Sequence, residues 1–332
     1  MLLSGKNPHG GDIYANKIEY DFSVNTSPLG IPDEVKKCAA GLMDELSSYP
    51  DPYCTELRSA LAAHHNTVPG RIICGNGAAE LIYAFAMAVK PKSACIISPT
   101  FSEYEKSLRN PDCEISYRFD DNQTYDVIYV CNPNNPTGTA MSKTDVLKLR
   151  ANCRILFVDE CFMDLCNTPE LYSVIDTYSE NLFVLKAFTK TYGMAGIRLG
   201  YGISSNSALL EDMCGVLQTW NVSAIAQKCG IEALKCHGFV RESREIVQAE
   251  RRYLTDSLRK LGFEVYDSKV NFILFISNTN LYENLLKKHI LIRKCGNFFG
   301  LDDTYYRCAV RKHEDNVIFI NTVREIIEHG KS

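Results

Sequence analysis

Six short apolar runs decide the architecture open to this chain. Arg71–Cys74 (RIIC), Ala94–Ser98 (ACIIS), Val127–Cys131 (VIYVC), Ile155–Asp159 (ILFVD), Leu182–Leu185 (LFVL) and Leu199–Ile203 (LGYGI) are each four or five residues long and rich in Ile, Val, Phe and Tyr. Most are separated by stretches with helical periodicity. A strand that is apolar without alternation has both faces covered, and crossover helices supply that cover in a parallel sheet. The expected class is therefore α/β, a three-layer large domain around a mostly parallel sheet. From about residue 205 the texture changes. Helical patterns at Ser223–Lys235 and Val240–Leu261 precede strand-like Asn271–Ile276, helix-like Leu281–His289, strand-like Tyr305–Val310 and a closing helix from about His313. These predict a smaller α+β domain. The expected divisions are an N-terminal arm over 1–28, a large domain over 29–220 and a small C-terminal domain over 221–332.

At 332 residues the chain is more than twice a domain of about 150, so its core is ample. Its 36 basic and 40 acidic residues leave a net charge of −4, with no footprint for nucleic acid. Ala78–Val89, the longest nearly apolar run, is broken by Glu80 and too short to span a bilayer. Met1–Gly11 carries Lys6 but no signal-length apolar core, so no membrane partner and a cytoplasmic location are expected. The fourteen cysteines include no C-x-x-C pair and the histidines no H-x-x-x-H pair, which points to reduced thiols and no metal.

Ligands of open parallel sheets collect beyond the carboxyl ends of the strands, so the loops there carry the information. After Arg71–Cys74 comes Gly75-Asn76-Gly77-Ala78-Ala79-Glu80, opening a helix. Glycines permit a tight turn, and the free N–H groups near Ala78 and Ala79 form an anion site, although a plain turn explains the string as well. Neither G-x-G-x-x-G nor a Walker A string is present. Pro99-Thr100-Phe101-Ser102-Glu103-Tyr104 puts aromatic rings at the next strand end, where packing alone would account for them. Asn132-Pro133-Asn134-Asn135-Pro136-Thr137-Gly138 is pure turn chemistry; its prolines also pre-orient the Asn135 amide. Asp159 and Glu160 end a buried strand, and a buried carboxylate needs a partner, so a positive group should face Asp159. Lys190 lies in Lys186-Ala187-Phe188-Thr189-Lys190-Thr191-Tyr192-Gly193. A lysine desolvated in a cleft becomes a nucleophile for aldehydes, whereas most lysines are merely solvated. Arg198, eight residues on, is placed to join the turn at Ala78 on one phosphate.

In this order, N-P-N-N-P-T-G and T-K-x-Y-G-x-A-G-x-R-L-G-Y resemble the fold-type-I enzymes of pyridoxal 5′-phosphate, the aspartate-aminotransferase superfamily, from about Leu29 to the C-terminus. The resemblance implies that Lys190 holds the cofactor covalently and moves protons, with Asp159 paired to the pyridinium nitrogen. It implies that Asn135 bonds the ring hydroxyl and Phe101 stacks on the ring. Ala78 and Ala79 N–H groups, Thr189 and Arg198 would hold the phosphate. Tyr49, in Ser48-Tyr49-Pro50-Asp51-Pro52, matches a tyrosine lent across a homodimer to the neighbour's cofactor. Phe162 stands where many relatives have tyrosine, and Ala187 where Ser or Thr is frequent.

Within the superfamily the chain resembles the branch holding histidinol-phosphate aminotransferases and the threonine-phosphate decarboxylases of cobalamin synthesis. His9-Gly10-Gly11 ahead of Asp21-Phe22-Ser23-Val24-Asn25-Thr26-Ser27-Pro28-Leu29-Gly30, Phe101-Ser102-Glu103-Tyr104, Phe162 and Ile292-Arg293-Lys294-Cys295-Gly296-Asn297-Phe298-Phe299-Gly300-Leu301-Asp302-Asp303 favour the decarboxylases; Asp12 replaces a common Asn. The implied substrate is a small phosphorylated amino acid. Arg307 would grip its α-carboxylate, and His9 and Arg293 its phosphate, helped by Asn25. The implied reaction is decarboxylation of O-phospho-L-threonine, the alternative being transamination of histidinol phosphate or a related phosphorylated amine. A catalytically silent protein keeping the fold is a third reading, against which Lys190 and Asp159 are both present.

Overall fold

The computed structural model describes residues 9–109 and 112–329, so residues 1–8 of the expected arm lie outside it. The chain opens with β1 (Tyr20–Asp21), α1 (Asp33–Gly41) and α2 (Thr55–His64). It continues through β2 (Ile72–Gly75), α3 (Ala78–Val89), β3 (Ser93–Ile96), α4 (Glu103–Ser107), β4 (Glu114–Ser116) and β5 (Tyr125–Cys131). Then come α5 (Lys143–Lys148), β6 (Cys153–Asp159), β7 (Leu182–Ala187), α6 (Phe188–Thr191), β8 (Gly200–Ser204), α7 (Ser207–Val216), α8 (Ala224–Lys235) and α9 (His237–Lys260). The chain closes with β9 (Glu264–Val265), β10 (Phe272–Ile276), α10 (Leu281–Leu286), β11 (Ile290–Leu291), β12 (Arg293–Lys294), β13 (Tyr305–Ala309) and α11 (His313–His329).

All six apolar runs become neighbours in one seven-stranded sheet of order β2-β8-β7-β6-β5-β3-β4. Strands β4, β3, β5, β6 and β7 are parallel, while β8 runs antiparallel to both β7 and β2. The fold is the mixed α/β, mostly parallel architecture expected. Alternate residues of each strand serve opposite layers. Tyr129, Phe157 and Phe183 pack under α3 and α7, whereas Ile128, Val130, Leu156, Val158 and Val184 pack on the other face with Val146, Leu149 and Val174. Short β4 escaped the sequence reading because Glu114–Ser116 is half-polar edge strand with no apolar signature. The fourteen cysteines are free thiols.

A second sheet, β12-β13-β10-β9, packs with α9 and α11 around Phe22, Leu254, Leu258, Ile273, Phe275 and Phe319. Phe22 belongs to the segment that ties the two cores. Its N–H donates to Leu291 O, its carbonyl accepts from Ala309 N–H, and five residues on Ser27 N–H donates to the carbonyl of Lys190 at 2.8 Å. Among the described residues, no helix is long and apolar enough to cross a membrane.

Candidate active site

The parallel strands end together because the register pairs Cys131 with Asp159, Asp159 with Leu185, and Ala187 with Gly200, which also pairs with Gly75. A cavity of about 220 Å³ lies beyond these ends. Its floor carries Asp159, Asn135 and Lys190; one wall carries Ala78, Ala79, Thr189 and Arg198; Phe101, His9, Asn25 and Arg307 complete it. Tyr49 and Arg293, also expected at the site, do not line it. Tyr49 is 77% exposed and stacks on Trp220, ring centroids 4.3 Å apart. Arg293 is buried beside it, bonded to Lys294 O at 2.7 Å and Asn297 Oδ1 at 2.5 Å. Arg311, outside the cavity, lies 3.9 Å from Asp315.

The turn at Ala78 is built by close approach. A Cβ on Gly200 would stand 2.4 Å from Ala78 N, so only glycine lets β8 support the first turn of α3 this tightly. Gly77 sits at φ +81°, and a Cβ there would meet Arg198 Nη2 at 2.6 Å. The guanidinium thus lies beside the free N–H groups of the helix start, as an anion site requires.

Lys190, half-buried on α6, has no carboxylate within ion-pair distance among the described residues. Burial first, then the charge of Arg307, lowers its pKa to about 8. Its Nζ lies 5.5 Å from the ring centroid of Phe162, the residue standing in for tyrosine. Two cysteines share the cavity, but burial and then Asp159 push Cys131 up to about 12 and Cys161 well above its ordinary value. Both thiols stay protonated, which leaves Lys190 as the amine nucleophile.

The positive partner expected for Asp159 is not a side chain. Its carboxylate accepts from Tyr104 Oη at 2.6 Å and Cys161 N–H at 2.9 Å, and no basic residue pairs with it among the described residues. Burial, then Asp159 itself, holds the Tyr104 pKa well above the usual phenol value, so the hydroxyl remains a donor. A buried carboxylate with one neutral donor on each oxygen keeps a lone pair on each for a cationic ring nitrogen. Together with an unpaired, half-buried amine and a preformed phosphate turn, this set fits a pyridine aldehyde phosphate. The second carboxylate, Glu160, faces away, accepting from Ser173 Oγ at 2.7 Å and Val174 N–H at 2.6 Å, 3.9 Å from buried Lys186.

Arg307 is buried at the opposite side. It donates to Asn135 Oδ1 through Nη1 and to Ser23 O at 2.9 Å through Nη2. Asn25, its amide oxygen turned toward the guanidinium, stands 3.2 Å from Nη1 and Nε. Burial lowers the Arg307 pKa to about 10, so it stays charged near neutrality. With Asn135 Oδ1 occupied by Arg307, its Nδ2 is the end left to donate to a ligand. Tyr104, noted in the sequence only as one of the aromatic rings at that strand end, and Ser23 were given no role from sequence. A second aromatic ring three residues after Phe101 was the available signal for Tyr104; nothing local marks Ser23, which acts through its carbonyl.

The family model described as aminotransferase class I and II matches residues 17–322. The chain is similar to the threonine-phosphate decarboxylase of Salmonella typhimurium, 32% identical, the match covering 92% of this chain and 91% of that protein. It is also similar to a histidinol-phosphate aminotransferase of Caldanaerobacter subterraneus, 30% identical over 93% of each. Among solved structures, the histidinol-phosphate aminotransferase of Clostridium acetobutylicum superposes with a TM-score of 0.86 at 28% identity, covering 94% of this chain and 100% of that one.

Proposed function

Since the chain belongs to the class I and II aminotransferase family, whose cofactor is pyridoxal 5′-phosphate, we propose that it decarboxylates O-phospho-L-threonine to (R)-1-amino-2-propanol O-2-phosphate, a step toward cobalamin. One observation carries the reading: the cavity presents two basic groupings. Buried Arg307 with Asn25 forms one; His9 forms the other, backed by Arg293, which is the strand neighbour of Arg307 and whose charge reaches both. Such a cavity suits a small substrate with a carboxylate and a second anion. The similarity to the Salmonella decarboxylase supports the same class.

In this reading Ala78 and Ala79 N–H groups, Thr189 and Arg198 hold the cofactor phosphate. Asn135 Nδ2 donates to the ring hydroxyl, Phe101 covers the ring, and Asp159 holds the proton of the ring nitrogen. When bound, the cofactor supplies an electron sink for the pair released as a bond to the substrate's Cα breaks. Lys190, neutral in an appreciable fraction near pH 8, would be the amine that holds the aldehyde and, once freed by the substrate's own amine, the group that gives a proton to Cα. Arg307 binds the α-carboxylate and, with His9 and Arg293 on the phosphate, selects which Cα bond is presented to the cofactor. Positioning of this kind decides between outcomes separated by several kcal/mol. Tyr49, exposed on one protomer, completes the neighbour's site in a homodimer.

A second reading, transamination of histidinol phosphate or a related phosphorylated amine, uses the same residues and is favoured by the similarity to histidinol-phosphate aminotransferases. Incubation of the holoenzyme with O-phospho-L-threonine separates the two. CO2 release without 2-oxoglutarate is expected; keto-acid formation that requires 2-oxoglutarate, with no CO2, would overturn the decarboxylase.

A further inference from the structure

We propose that Lys106 is a second cation, besides Arg293, of the substrate-phosphate end and that Glu103 keeps it, together with His9, in a preformed cluster which a phosphate monoester completes. The inference rests on the phosphorylated-substrate reading above and adds to it two residues of α4 that this reading does not use.

The geometry is a triangle at the cavity's edge. Lys106 Nζ lies 2.6 Å from Glu103 Oε1 and 3.0 Å from His9 Nε2, and His9 Nε2 lies 2.7 Å from the same carboxylate oxygen. The other oxygen, Glu103 Oε2, accepts from Tyr83 Oη at 2.8 Å, so the carboxylate is held from both sides. His9 itself lines the cavity, its ring 5.6 Å from that of Phe101. An ordinary Glu-Lys pair one helical turn apart points into solvent and contributes only about 0.3–0.5 kcal/mol. Here the Glu103 and Lys106 side chains retain 14% and 28% of their exposure and turn onto the imidazole.

Charge decides what such a cluster can take. Lys106 and Arg293 both reach His9 electrostatically, against the single carboxylate of Glu103. Arg293 is bonded to neutral oxygens, those of Lys294 and Asn297. The balance at this end is therefore one positive charge in excess with His9 neutral. Burial first, then Lys106 and Arg293, favours that neutral form. A dianionic phosphate more than offsets the excess and gains a charge-assisted bond to Lys106 with the charge of Arg293 behind it, whereas an uncharged hydroxyl in its place gains neither. Lys106 thus separates phosphorylated from unphosphorylated amino acids, while Arg307 treats them alike.

The test is equilibrium binding to the holoenzyme, read by the cofactor's absorbance and by calorimetry, of three probes: O-phospho-L-threonine, L-threonine and inorganic phosphate. Lys106→Met is expected to weaken phosphothreonine and inorganic phosphate tenfold or more and to leave L-threonine within twofold; Lys106→Arg is expected to restore most of the loss. Unchanged affinities for both phosphate probes in Lys106→Met would overturn the assignment and leave Lys106 as a staple of α4. Binding of inorganic phosphate in a Lys106-dependent way, with phosphothreonine bound no better than threonine, would keep the anion site and overturn the substrate reading instead.

Discussion

At the residue scale the site depends on Lys190 being a cation that its surroundings disfavour. Desolvation at the strand ends, and the neighbouring Arg307 and Arg198, lower its pKa to about 8, while Asp159 is committed to Tyr104. The sign of the consequence is definite. A depressed lysine pKa leaves the amine protonated below about 8 and neutral above it, and only the neutral amine attacks an aldehyde. The rate at which apoenzyme takes up pyridoxal 5′-phosphate covalently, followed by borohydride trapping, should therefore rise with pH through about 8 and level off beyond it. A flat profile from pH 6 to 9, or a trapped peptide containing another lysine, would contradict the role of Lys190.

At the element scale the turn bearing Lys190 is braced by a buried ionic network. Lys186, on β7, donates to Asp164 Oδ1 at 2.5 Å and lies 3.9 Å from Glu160; Thr191, next to Lys190 on α6, donates to Asp164 Oδ2 at 3.2 Å. Burial works against the charge of Lys186, yet Asp164 and Glu160 outweigh it and hold its pKa above the ordinary value. Removing the lysine leaves two carboxylates facing each other without compensation. Lys186→Met should cost about 3 kcal/mol, the lower end for a broken buried pair because the Asp164 side chain keeps 31% exposure. Chemical denaturation at neutral pH measures this, and a change below about 1 kcal/mol would show that the network contributes little. The apolar strands and the long helices α8 and α9 of this chain were legible because their signals are local. Val247, Leu254 and Leu258 recur on one side of α9, and Ser142, Asn206 and Ser223 cap α5, α7 and α8 through their own side chains. The network was not legible, since Lys186 and Asp164 look in sequence like any solvated pair.

At the scale of the whole molecule, one protomer leaves large apolar groups in water along a single stretch. Met43, Tyr49 and Tyr53 are 61%, 77% and 73% exposed, and Trp220, stacked on Tyr49, is 45% exposed. Such a surface suits the proposed homodimer. Sedimentation should return twice the mass of one chain, and Tyr49→Ala should release cofactor more readily while remaining dimeric; a monomer that retains cofactor as tightly as wild type would refute both. What the linear chain determined by itself was the parallel sheet, the turns at its carboxyl end, and Lys190, Asp159, Asn135 and Arg198 within them, because continuous apolar runs and turn residues act over a few neighbours. Tertiary structure decided the rest. Arg307 meets Asn135 across 172 residues, Lys106 meets His9 across 97, and Tyr104 meets Asp159 across 55. Those meetings depend on strand register and on how the segment around Phe22 joins the two cores, and neither leaves a mark in the local pattern of residue types.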